Sequence, residues 1–262
     1  MRILKLLLIT IISVALFAGC LKVNTKLKVN KDGSGTIEEK VLMSDAVVSM
    51  MKEFMSSFQD SSSTPEEFKL FKEDELTDKA MGYGEGVEYA HGEEIKVDGW
   101  EGYKAVYSFE DINQIQITTD PNDKIESGEL GEREYFLFEF TRGSNSELVI
   151  NRPDISPSDM EIETEEESGN NQLDDKFIKM LDGMMMKVSV EFEGKIIETN
   201  AEYADKNNIT LLDIDFGKIL KNKKGLEMLK NNPPKNLDDM KIIIENIPGM
   251  KIDLQKPITV KF

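Results

Sequence analysis

The chain has 262 residues, a formal net charge of −18, and one histidine and one cysteine. These counts exclude an internal disulfide, a thiolate metal cluster and metal sites built on several imidazoles. The acidity argues against nucleic acid, whose phosphates it would repel, and against electrostatic docking onto anionic lipid; its ordinary meaning is a solvated, soluble surface.

Residues 1–19 have the parts of an export signal: Arg2 and Lys5, an apolar run from Leu6 to Ala18 broken only by Thr10 and Ser13, then small residues. The run is shorter than the roughly 20 apolar residues that cross a bilayer. It ends Leu16-Phe17-Ala18-Gly19-Cys20, which resembles the lipobox of bacterial lipoproteins, with Phe17 where Leu is more usual. The expected modification is a diacylglycerol thioether on Cys20 with an additional N-acyl group, since a single chain gives only marginal membrane residence at about 0.8 kcal/mol per buried CH₂. No other cofactor is expected. Leu21, instead of Asp, follows the cysteine. In a two-membrane cell this favours the periplasmic face of the outer membrane; in a single-membrane cell the chain would face outward from the plasma membrane. Cleavage before Cys20 leaves 243 residues and removes two positive charges, taking −18 to −20.

Almost nothing separates Cys20 from extended structure. Val23, Thr25, Leu27 and Val29 alternate with polar residues, the pattern resumes over Thr36–Met43, and Lys31-Asp32-Gly33-Ser34-Gly35 between them predicts a hairpin turn. That turn lacks the repeated acids and distal Glu of a calcium loop. Ser44 or Asp45 can cap a helix with Val47, Met51, Phe54 and Phe58 on one face. A polar break over 60–64 follows, then a short helix from Pro65 to Leu70 and a flexible connection at Gly82, Gly84 and Gly86. Strands are expected at 87–97 and 102–109 around Asp98-Gly99, and at 135–141 and 147–151. Further on, a short helix spans 174–182 and a hairpin pairs 184–191 with 195–200 about Glu193-Gly194. A strand at 209–214 precedes helices at 216–231, weakened or divided by Gly225, and 237–246. Ile258, Val260 and Phe262 close the chain as a strand with one buried face.

Residues 152–172 combine Pro153 and Pro157, the run Glu165-Glu166-Glu167 and Gly169 among asparagines, and form the best linker or surface loop. They divide an N-terminal α+β region, 20–151, from a C-terminal one, 173–262, that can belong to the same domain. The expected class is α+β: an antiparallel sheet built from hairpins, with several packed helices.

The lipobox, the Val-x-x-x-Leu-x-Val-x-x-Asp-Gly-Ser-Gly hairpin and the segment Gly99-x-x-Gly102-x-x-x-x-Tyr107-x-Phe109-x-Asp111-Ile112 together resemble the LppM-like extracytoplasmic domain of actinobacterial lipoproteins, over residues 16–112. Gly194 through Asp215 is similar to uncharacterised bacterial lipoproteins. The first resemblance implies a mixed α/β surface domain that interacts with lipid or glycolipid. It supplies no ligand-binding residue, and the acidity disfavours an anionic glycolipid.

Little in the sequence supports catalysis. His91 lies in a polar run, there is no nucleophile-elbow or phosphate-loop pattern, and abundant Glu makes a glycosidase-like pair such as Glu198 and Glu202 common by chance. Asp213 and Asp215, two apart at a strand end, can hold calcium with Asn200 or Asn208, or can be solvated and cap the helix starting near Phe216. These acids would carry the competing reading, a carboxylate-dependent envelope hydrolase. Apolar candidates fit a noncatalytic role better: Val47, Met51, Phe54 and Met184 can line an adaptable site for a lipid or an envelope protein's hydrophobic segment, with Trp100 and Tyr103 as its rim. The same residues also serve as ordinary core. The expected partners are therefore the membrane, through Cys20, and a lipid or envelope protein, with nucleic acid excluded.

Overall fold

The computed structural model describes residues 21–58, 69–118, 135–154, 183–231 and 234–262. Cys20 and its leader, most of the short helix expected from Pro65, most of the acidic linker and the helix expected at 174–182 lie outside the described residues.

Strand β1 (Leu21–Val29) pairs with β2 (Gly35–Ser44), Leu21 opposite Met43 and Val29 opposite Gly35. Strict alternation in β1, and in β2 up to Val41, turns Leu21, Val23, Leu27 and Val29 inward against Ile37, Val41 and Met43, so register and burial specify each other; Leu42, on the other face, is buried as well. In the turn, the Asp32 carboxylate accepts from the Ser34 amide at 3.1 Å and hydroxyl at 2.7 Å. Gly33 sits at φ 92° beneath the Phe140 ring, where a Cβ would lie 2.7 Å from a ring carbon.

Helix α1 (Asp45–Phe58) follows β2 directly and buries Val47 and Val48. A helix the sequence pattern did not place, α2 (Glu73–Lys79), runs into a 3₁₀ turn, Ala80–Tyr83. Strands β3 (Glu88–Val97) and β4 (Trp100–Phe109) form a hairpin whose turn residues, Asp98 and Gly99, both take positive φ. Then come β5 (Gln116–Thr118), β6 (Tyr135–Thr141) and β7 (Glu147–Asn151). After the linker lie β8 (Met185–Phe192), β9 (Glu198–Thr199), β10 (Ala204–Asp205) and β11 (Asn208–Asp215). Helices α3 (Phe216–Lys221), α4 (Lys223–Asn231) and α5 (Leu237–Asn246) precede β12 (Met250–Ile252) and β13 (Ile258–Lys261). The break between α3 and α4 falls at Asn222, whose side chain accepts from the Gly225 amide at 3.2 Å, and not at Gly225 itself.

Two sheets result. The larger has the order β10-β11-β8-β1-β2-β4-β3 with β12 also on β11; the smaller is β5-β6-β7-β13-β9. This corrects the expected single antiparallel sheet, because β1 and β8 run parallel from Lys22 opposite Met185 to Val29 opposite Phe192, making the larger sheet mixed. Alternation shows which residues face inward but not which strand lies alongside, and the long excursion between β1 and β8 permits a parallel return. The expected hairpin of 184–191 with 195–200 is also absent. The chain leaves the larger sheet at Gly194 (φ 102°), β9 joins β13 in the smaller one, and β8 takes β11 as its antiparallel neighbour.

Strands from either side of residues 152–172 share both sheets, through β1 with β8 and β7 with β13. The inward faces of the two sheets meet in one continuous apolar core. The Phe192 and Phe262 rings, 4.6 Å apart, join them.

Candidate functional site

The end of the larger sheet nearest Cys20 is ordered up to its last described residue. Leu21 is only 2% exposed and is paired with Met43. Full burial of a leucine is worth about 1.5–3 kcal/mol, so the start of β1 is held in the core and does not act as a tether. Strands β8 and β4, which run in the direction of β1, begin at this end with Met185 and Trp100, and the oppositely running β2 and β11 finish there with Ser44 and Asp215. The Lys22 ammonium stands 3.6 Å from the centroid of a Trp100 ring, a cation–π contact. The ring system also abuts Gly183, where a Cβ would come within 3.2 Å of it.

Toward the middle of the sheet lies a cluster of polar groups inside the core. Glu39 occupies an inward position of β2, opposite Thr25, and is fully buried. Its Oε1 accepts from the Tyr103 hydroxyl at 2.7 Å and from Lys79 Nζ at 2.7 Å; its Oε2 accepts from the Tyr83 hydroxyl. Lys79 Nζ also donates to the Tyr103 oxygen at 2.8 Å. Lys79 and Tyr83 come from the end of α2 and the following 3₁₀ turn, so the carboxylate ties that segment to β2 and β4. Burial, followed by the nearby Glu39 charge, pushes the Tyr83 and Tyr103 hydroxyls far above the ordinary tyrosine range, and Tyr107 follows for the same causes. A carboxylate with donors on both oxygens and no exposed surface is arranged to hold structure together, and its geometry offers no approach for a substrate. The cluster was missed from sequence, although its signal was present: Glu39 lies in phase with Ile37 and Val41, and Tyr103 and Tyr107 are in phase with Phe109.

The sequence candidates are dispersed. Val47 and Met184 are buried, Met51 packs partly buried against the core, and the Phe54 side chain lies outside those described. Trp100 is half-buried at the sheet end. Tyr103 is only 4% exposed, with its hydroxyl in the Glu39 cluster. Asp213 pairs with Lys187 at 3.3 Å across β8 and β11. Asp215 caps α3, accepting from the Lys218 amide at 3.0 Å; its carboxyl lies below the ordinary range because the Lys218 amide and ammonium outweigh burial, which acts in the opposite direction. Glu198 pairs with Lys261 and Glu202 with Lys241. His91 is exposed at the β3 bulge. Among the described residues no group of three or more His, Cys, Asp or Glu could hold a metal ion. An open hollow of about 720 Å³ lies at the opposite end of the larger sheet from Leu21, lined by Gly194, Lys195, Ile196, Ala204, Lys206 and Asn207.

No protein-family model matches this sequence, and no curated protein matches it. Among solved structures it is similar to the folded domain of LppM from Mycobacterium tuberculosis. The identity is 12% and the TM-score 0.34, over 76% of this chain and 85% of that one. A likeness at that score assigns no activity. Among the described residues no helix is long and apolar enough to cross a membrane.

Proposed function

We propose that this chain is an exported lipoprotein, acylated on Cys20 with diacylglycerol and an N-acyl group, that serves as a noncatalytic structural body at the cell envelope. The observation that carries the proposal is the start of the fold. The residue immediately after Cys20 is already core, paired in the middle of the larger sheet and buried to 2%. A carrier that must reach for its ligand gains from a flexible linker, whereas a body fused directly to its anchor is fixed beside the membrane. The ion-paired state of Asp213, Asp215, Glu198 and Glu202 favours a scaffold over the hydrolase reading. The burial of Val47 and Met184 likewise favours a packed body over an acyl-chain pocket. In a two-membrane cell the periplasmic face of the outer membrane is the expected location, with the bilayer and a second envelope protein as partners.

The test is metabolic labelling with a radioactive or clickable fatty acid, comparing the wild-type chain with Cys20→Ala. Labelled wild type in the membrane fraction and an unlabelled, unprocessed variant are expected. Recovery of unlabelled wild-type protein wholly from the cytosol would overturn the proposal.

A further inference from the structure

We infer that the end of the larger sheet bearing Trp100 rests on the phospholipid bilayer surface, fixing the orientation of the body with its opposite end, the β1–β2 turn, directed away. The inference rests on acylation at Cys20 and adds to it a contact surface and an orientation. Its basis is chain length. Lys22 lies two residues beyond Cys20, so at about 3.3 Å per residue the anchored sulfur's backbone is within roughly 7 Å of it. Lys22 in turn touches the Trp100 ring at 3.6 Å from its centroid. With no intervening linker, the neighbouring strand ends cannot stand far from the headgroups.

The chemistry of this end suits that position. Tryptophan and lysine are the side chains that settle at the boundary of lipid and water, one through its amphipathic ring and the other through a long stem below a charged head. Val97, at the end of β3 opposite Trp100, and Met50, in the second turn of α1, each leave 45% of their surface exposed. The mature chain's charge of −20 opposes approach to an anionic surface, and Asp45 and Asp98 at this end are exposed, so the surface inferred is zwitterionic phospholipid; two other acids here are paired. Glu101 meets Lys52 and Lys96, each at 3.4 Å; Asp215 meets Lys218 at 3.0 Å. Desolvation near the headgroups strengthens such pairs relative to bulk water.

Trp100 is the sole tryptophan and so reports on this end directly. The acylated full chain is purified from membranes, its Cys20 modification is read by mass spectrometry, and it is reconstituted into phosphatidylcholine vesicles in which a fraction of headgroups carries a nitroxide quencher. A second protein, Lys31→Cys with Trp100 retained, carries a thiol-linked fluorophore on the exposed β1–β2 turn, about 27–30 Å along β1; with Cys20 acylated, the introduced thiol alone takes the label. Circular dichroism confirms that both are folded. The expected result is loss of about half the tryptophan emission in the wild type, as for a ring seated at headgroup level, and unchanged emission from the label at Lys31→Cys. Acylated, vesicle-bound protein in which Trp100 is unquenched, or in which both reporters are quenched alike, overturns the orientation and leaves the lipoprotein reading intact. An unmodified Cys20 overturns that reading and this inference together.

Discussion

Replacing Lys79 with Met tests whether the Glu39 cluster clamps residues 79–83 onto the larger sheet. Met preserves most of the stem's volume and removes the cation, leaving a carboxylate with no exposed side-chain surface beside two tyrosine hydroxyls. Breaking a buried ion pair from one side costs roughly 3–5 kcal/mol, because the remaining charge stays desolvated. The Lys79 side chain keeps 18% exposure, so water already screens its end of the pair and the lower figure, about 3 kcal/mol, applies. For a body of this size that corresponds to a fall in Tm of about 6–12 °C. Urea unfolding followed by Trp100 fluorescence and far-ultraviolet circular dichroism measures it, with an unchanged slope assigning the shift in midpoint to stability. The Lys79→Met/Glu39→Gln double variant should recover most of the loss, since Gln is neutral and its amide can bond both hydroxyls; the coupling in the cycle should exceed about 1 kcal/mol. A loss below about 1 kcal/mol for Lys79→Met, the size of an exposed pair, or strict additivity in the double variant, refutes the clamp.

Alkaline titration should find Tyr83, Tyr103 and Tyr107 resistant to ionisation until the chain unfolds. Their folded values lie above the unfolded value near 10, so their contribution is fully present below that pH. It is lost above it at up to about 1.4 kcal/mol per pH unit for each tyrosine, and phenolate absorbance that rises smoothly for all six tyrosines before unfolding contradicts this. Gly102→Ala should cost about 3 kcal/mol or more, because its Cβ would lie 2.0 Å from the Val41 carbonyl oxygen. Gly82→Ala, with nothing within 4 Å, should stay within about 0.5 kcal/mol; equal urea midpoints for the two would defeat the packing argument. Asp215→Ala should cost about 1 kcal/mol as a lost helix cap. Asp213→Ala should cost less than about 1 kcal/mol. Millimolar calcium should leave Tm unchanged, and a calcium-dependent rise abolished by either substitution would restore the metal reading of this pair.

Strand identity and facing were legible in the sequence wherever local chemistry imposed them. The alternation of Val23, Leu27 and Val29, the Asp-Gly turns at 32–33 and 98–99, and the Asp215 side chain at a helix start act within a few residues. They correspond to β1, the two hairpin turns and the cap of α3. Partnership between distant strands was not legible. Nothing local tells β8 to lie parallel to β1, or sends the segment after Gly194 to a second sheet, because those choices follow from how whole apolar faces pack. The polar cluster shows the same division. The period of two already turned Glu39 and Tyr103 inward, but only tertiary structure brought Lys79 from the end of α2 to neutralise the carboxylate there. A buried charge is tolerable once a partner and hydrogen bonds compensate its lost hydration, and no neighbour of Glu39 in the sequence reveals that the partner comes from forty positions away.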